Sequence, residues 1–152
     1  MGAGLTGLIM ACLLSLFDIR FLIIDKKDSP SDHSGALIIQ ASTLELFRQI
    51  GLSGRLSETG KKVNVISVYF NGKRSSSRDI RDTGKNLSQF SSMLMLEQSK
   101  TENYLSEHLE KSGSHVEWGT TLIDLVQQRE GVIAYLKLPD GNSEEVRASY
   151  LI

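Results

Sequence analysis

Three glycines open the chain in the order Gly2-Ala3-Gly4-Leu5-Thr6-Gly7, and they restrict its fold more than any other feature. Glycine at the first two positions permits a tight turn and close approach of a diphosphate. At the third it lets a helix pack closely on a strand. A helix that starts after such a loop presents unpaired N–H groups and a partial positive charge. Alone the pattern is weak, because glycine-rich turns are common. The residues that follow strengthen it. An apolar run predicts a helix over 6–17, buried because it is apolar almost all round. "RFLIID" (20–25) then reads as an inner strand of a parallel sheet. It ends in Asp25, 21 residues beyond Gly4, where a carboxylate can hold a ribose 2′-hydroxyl. Otherwise Asp25 is a surface acid in the turn before Lys26 and Lys27.

The remaining composition excludes more than it selects. A content of 40% hydrophobic and 23% charged residues is that of a soluble globular chain. A net charge of -1 with interleaved signs gives no electrostatic case for nucleic acid. The cations Lys73, Arg74, Arg78, Arg81 and Lys85 alternate with Asp79, Asp82 and serines, the pattern of a solvated loop. Cys12 is the single cysteine and reads as a buried, reduced thiol. His33, His108 and His115 stand at no metal-ligand spacing, so no metal is expected. The apolar run 5–17 has no basic residue before it and is too short to span a bilayer. "MGAGLT" also fits a myristoylation pattern, but the nucleotide loop explains the glycines better. The expected location is cytoplasmic, without a membrane partner.

Further along, "STLELFRQIG" (42–51) predicts a helix capped by Ser42 and stopped by Gly51. "VNVISVYF" (63–70) followed by "NGKR" signals a hairpin. The serine-rich stretch 73–92 reads as a flexible loop leading to a strand at 92–97. "QSKTENYLSEHLEKSG" (98–113) is an amphipathic helix with Tyr104, Leu105, His108 and Leu109 on one face. Four strands should follow in "HVEWG", "TLIDLVQQ", "GVIAYLKL" and "EEVRASYLI", with a turn at 139–142.

Taken together, "GAGLTGL", "FLIIDKK", "HSGALIIQASTLELFRQIGL", "QSKTENYLSEHLEKSG" and "VEWGTTLIDLVQQREGV" resemble the FAD-dependent aromatic-ring hydroxylases. These are the class A flavoprotein monooxygenases of the phenol and p-hydroxybenzoate hydroxylase group. The resemblance covers nearly the whole chain. It implies an α/β fold: a Rossmann-like FAD-binding half, with a GR2-type parallel sheet and an antiparallel β-meander. It also implies FAD as cofactor, NAD(P)H and O₂ as co-substrates, and a small aromatic, often phenolic, molecule as substrate. By the same resemblance Gly2, Gly4 and Gly7 line the FAD diphosphate, with Thr6 at the helix start. Asp25 holds the adenosine ribose, Lys26 stands near the adenine, and Gln98 touches the cofactor near its ribityl chain. Gln40 matches a further family residue, or is simply a polar helix start.

The departures carry expectations too. The family's Ser-Arg-Ala arginine falls at Gly35, and Lys100 and Asn103 change the start of the long helix. The family's first apolar strand would precede Gly2, and its Gly-x-Asp-Gly motif would follow Ile152. Residues 1–152 therefore read as a partial FAD-binding domain lacking that strand, with the substrate domain absent and "SYLI" one of the strands beside the gap. A chain of this kind is expected to bind FAD weakly or not at all and to be inactive alone. No catalytic residue can be named, and oligomerisation stays open. Two other readings remain: an NAD-binding dehydrogenase module with Asp25 as selector, and a non-catalytic truncated paralogue acting in protein interaction. The β-rich tail after the long helix disfavours the dehydrogenase, which would alternate strands and helices.

Overall fold

A computed structural model places the chain in two compact units, Met1–Asp32 with Glu102–Ile152, and His33–Thr101. Residues 2–30, 35, 37–81 and 85–152 are described; His33, Asp82 and part of the 29–35 loop lie outside them. The elements run α1 (Leu5–Leu16), β1 (Ile23–Asp25), β2 (Ile38–Ile39), α2 (Ala41–Gln49), α3 (Ser53–Thr59), β3 (Lys61–Lys62) and β4 (Val65–Phe70). They continue with β5 (Lys73–Asp79), β6 (Leu94–Met95), α4 (Gln98–Lys111), β7 (Val116–Trp118), β8 (Thr121–Gln128), β9 (Gly131–Lys137) and β10 (Ser143–Ala148).

In the first unit β1 pairs in parallel with β7, Ile23 opposite Val116 and Asp25 opposite Trp118. Among the described residues β1 has this one neighbour. Strands β8, β9 and β10 form the antiparallel meander, with β9 in the middle. Val132, Ile133, Ala134 and Leu136 of β9 are buried, and β8 and β10 flank it on both edges. The 139–142 turn forms as its residues predict: Gly141 donates to the Leu138 carbonyl and Asn142 to the Asp140 carboxylate. Residues 149–152 belong to no strand and are exposed, a correction to the reading of "SYLI" as sheet. The meander's register ends at Ala148, and no described strand lies beside the residues beyond it.

Helix α1 begins and ends within one residue of expectation, but it is not buried all round. Leu8, Ala11 and Cys12 form its buried stripe, at helical spacing, while Met10 and Leu16 are exposed. Composition fixes how much apolar surface a helix has; the neighbours present decide how much is covered. One neighbour is α4. Cys12 Sγ lies 3.7 Å from the Leu105 carbonyl oxygen, and Ser15 donates to Ser112 Oγ at 2.9 Å. Each fully buried leucine here, such as Leu8, Leu105 or Leu109, contributes about 1.5–3 kcal/mol relative to exposure.

Burial pushes the Cys12 thiol up from 9.0 to about 11. The folded chain therefore keeps this proton where the unfolded chain releases it. The stability it contributes is intact below pH 9.0 and is lost as pH rises towards about 11. Cys12 is expected to resist alkylation at pH 8 in the native chain and to react on unfolding, as mass spectrometry with and without urea would record.

In the second unit α2 begins at Ala41, one residue before the predicted start. Gln40 is its N-cap, in extended conformation, and no side chain caps it. Ser42 therefore sits inside the first turn, correcting its assignment as cap: β2 ends at Ile39 and hands the chain straight through Gln40 into the helix. Leu44 and Phe47 are buried, and Gly51 ends the helix as expected. β6 pairs antiparallel with β2 on one side and β3 on the other, and is shorter than the 92–97 strand anticipated.

The clearest correction is the serine-rich stretch. Lys73–Asp79 is not loop but β5, paired with β4 except at Ser75, where the register shifts between Val68 and Tyr69. Asn71 and Gly72 both take positive φ, 48° and 73°, the conformation of the two-residue hairpin turn. That turn sets the register, and backbone pairing then proceeds whatever the serines prefer; Ser67 and Ser77 even meet across the strands at 3.0 Å. Gly72→Val would place a β-branched residue at that φ, at a cost of about 1–2 kcal/mol. Amide exchange across 65–79 is expected to accelerate, with α2 unaffected.

Candidate nucleotide-binding site

Gly4 is the N-cap of α1, and no side chain caps the helix start or puts an acid in its first turn. The backbone N–H groups there remain available to an anion. Thr6 is exposed within that first turn, and the space above Gly4 is open to 4 Å. Gly7 is required by contact: a Cβ there would lie 1.9 Å from the Gly2 carbonyl oxygen. It would also come within 3.8 Å of Ile23 Cδ1, the close helix-to-strand packing that the third glycine predicts. Gly2 is half-buried, facing Asp25 Oδ2.

Asp25 is brought to this loop by β1 and fixed there from several sides. Its Oδ2 accepts the Ala3 N–H at 2.7 Å, and its Oδ1 accepts the Lys27 N–H at 2.9 Å. The connection after β7 secures the strand end: Thr120 N–H donates to the Asp25 carbonyl, and Gly119 N–H to that of Lys27. Lys26 is exposed beside it. Gly2, Gly4, Thr6, Gly7, Asp25 and Lys26 thus gather at one end of the β1–β7 pair. Ala3 and the 119–120 turn belong to the site as well. Sequence spacing did not reveal them, because they act through backbone N–H groups that every residue carries.

Gln40 and Gln98 belong to the other unit. Gln40 is exposed at the start of α2. Gln98 is the first residue of α4, and its Oε1 stands 3.1 Å from where a Cβ on Gly35 would be. The position at which the resemblance calls for an arginine is therefore occupied, on its side-chain side, by the Gln98 amide. A shallow concavity of about 460 Å³ in this unit is lined by Glu45, Arg48, Asn86, Leu87, Ser88 and Gln89. Its carboxylate is already satisfied. Ser88 donates to Glu45 at 2.7 Å and Arg48 at 3.1 Å, and the Ser88 bond followed by the Arg48 contacts holds the Glu45 carboxyl below its usual range. None of the motif residues lines it.

Along α4 the inward face includes the predicted one but reaches further towards the helix start. Leu105 and Leu109 are fully buried, but Thr101 and Glu102 join them, and Tyr104 and His108 are only half-buried. Among the described residues no three His, Cys, Asp or Glu side chains gather to hold a metal. Among them, too, no helix is long and apolar enough to cross a membrane.

The comparison with known proteins decides the family. The FAD binding domain family matches residues 1–152. The chain belongs to the FAD-binding domain family. It is similar to the 6-methylpretetramide 4-monooxygenase of Streptomyces rimosus, 34% identical over 151 residues. It is also similar to the pentachlorophenol 4-monooxygenase of Sphingobium chlorophenolicum, 30% identical over 152 residues. These alignments take in 99% of this chain but only 27% and 28% of the relatives. Among solved structures, a ternary complex of aklavinone-11 hydroxylase with FAD and aklavinone superposes with a TM-score of 0.86 at 25% identity. It covers 99% of this chain and 31% of that one. This FAD-binding domain therefore spans under a third of the length of these relatives. The mixed α/β architecture, with a parallel pair and an antiparallel meander, is that of the family.

The loop geometry fits the nucleotide end of FAD. The space beside Gly4 is open, the helix start offers uncapped N–H groups, and Asp25 supplies an acceptor.

Proposed function

We propose that this chain is the FAD-binding portion of an NAD(P)H- and O₂-dependent monooxygenase that hydroxylates a small aromatic, phenolic substrate. The family match over residues 1–152, with relatives that are aromatic-compound monooxygenases, carries the reading. Bound FAD would supply the redox chemistry, taking reducing equivalents from NAD(P)H and delivering one oxygen atom of O₂ to the ring.

This chain's own residues do the holding. The α1 N-terminus with Gly2, Gly4 and Gly7 receives the diphosphate, and Thr6 adds a hydroxyl at the helix start. Asp25 accepts from the ribose, and Lys26 places a cation beside the adenine. Gln98 and Gln40 contact the cofactor further along. A buried, protonated Cys12 suits a reducing, cytoplasmic setting.

Titration of the chain with FAD, followed by flavin fluorescence and by Trp118, tests the reading against titration with NADH. Weak but saturable binding of FAD, with none of NADH, is expected. Saturable binding of NADH in place of FAD would refute it.

A further inference from the structure

We propose that Asp25 is a positioning residue for the glycine loop, holding the Ala3 amide so that the loop and helix start keep one arrangement for a diphosphate. This inference rests on the FAD reading above, and adds a role for Asp25 that does not pass through the ribose.

The geometry carries it. Ala3 lies between two glycines, the residues with the largest backbone freedom to lose. A loop of that composition does not fix its own N–H groups. The Asp25 carboxylate does so from outside, taking the Ala3 N–H on one oxygen at 2.7 Å and the Lys27 N–H on the other at 2.9 Å. The aspartate is anchored in turn, since its carbonyl accepts from Thr120 and the following turn accepts from Gly119. The chain start is thus tied to the β1–β7 pair through one side chain. Each carboxylate oxygen has two acceptor positions, so the Ala3 bond leaves room for a ribose hydroxyl. The carboxylate also places a negative charge by a helix start whose first turn has none of its own.

Binding of a ligand without ribose hydroxyls separates this role from ribose recognition. Wild-type chain and Asp25→Asn would be titrated calorimetrically with ADP and with 2′,3′-dideoxy-ADP, and their ligand-free amide exchange compared. The variant is expected to raise the Kd for the dideoxy nucleotide about three- to tenfold, because the bond to the Ala3 amide loses its charge assistance. Exchange at Ala3 and Lys27 should accelerate alongside. A penalty seen with ADP but absent with dideoxy-ADP, with Ala3 exchange unchanged, would overturn the proposal. Should the Asn variant not fold, Asp25→Glu serves. It keeps the charge but moves the carboxylate out by one methylene, and the same acceleration at Ala3 is expected. Failure of the wild type to bind either nucleotide would count against the FAD reading alone. The exchange rates would then decide the positioning role, acceleration supporting it and unchanged rates refuting it.

Discussion

Gly7→Val is expected to abolish measurable FAD binding and to lower the melting temperature by about 2–12 °C. The reason is local and steric. Any Cβ at residue 7 would sit 1.9 Å from the Gly2 carbonyl oxygen and 3.1 Å from its carbonyl carbon. Both are backbone atoms, so no rotamer change relieves the clash; the loop must leave the helix. Forced overpacking of this kind costs about 1–3 kcal/mol. It also disperses the N–H groups that α1 presents at Gly4. Gly54→Ala is the matched control. It lies inside α3 with open space around it, where alanine is expected to be neutral or to stabilise by about 0.4–1 kcal/mol. Thermal melts and FAD titrations of the two variants, side by side, separate loss of the loop from loss of a glycine.

Leu105→Ala is expected to cost about 2–5 kcal/mol, the range for emptying a well-packed leucine site. Leu105 is 0% exposed at the centre of α4, and its carbonyl faces Cys12 Sγ of α1. Against a total stability of about 5–15 kcal/mol for a typical domain, that is a large fraction. Urea denaturation would show the midpoint fall with little change in slope. Leu87→Ala, at a position 87% exposed, is expected to leave the midpoint where it was.

The elements legible in the sequence were those fixed by local chemistry. Asn71-Gly72 names a turn because both residues tolerate positive φ, and Gly51 and Gly113 end helices for the same reason. The periodicity of α4 and the β-rich run before Asp25 needed no partner to be read. What misled was context. Ser76 and Ser77 do not favour a strand, yet they form one because the hairpin turn and β4 present a ladder to pair with. Residues 149–152 look like a strand but have none beside them. The apolar girth of α1 promised burial on every side, and only the stripe towards its neighbours received it.

The site shows the same division. Gly2, Gly4, Gly7 and Asp25 were visible because glycine and a carboxylate are chemically singular at that spacing. The Ala3 amide, and the 119–120 turn that steadies Asp25, were not, since their contribution is main-chain and arises only when residues distant in sequence meet. Gln98 was found by resemblance, but its place over the side-chain side of Gly35 required the folded chain.

The most direct test of the nucleotide site is an amide shift map of the ¹⁵N-labelled chain titrated with FAD. The site described here predicts that the amides of residues 2–8 and 25–27 move first and furthest. Saturable shifts centred on Glu45, Arg48 and residues 86–89, with 2–8 unmoved, would contradict it.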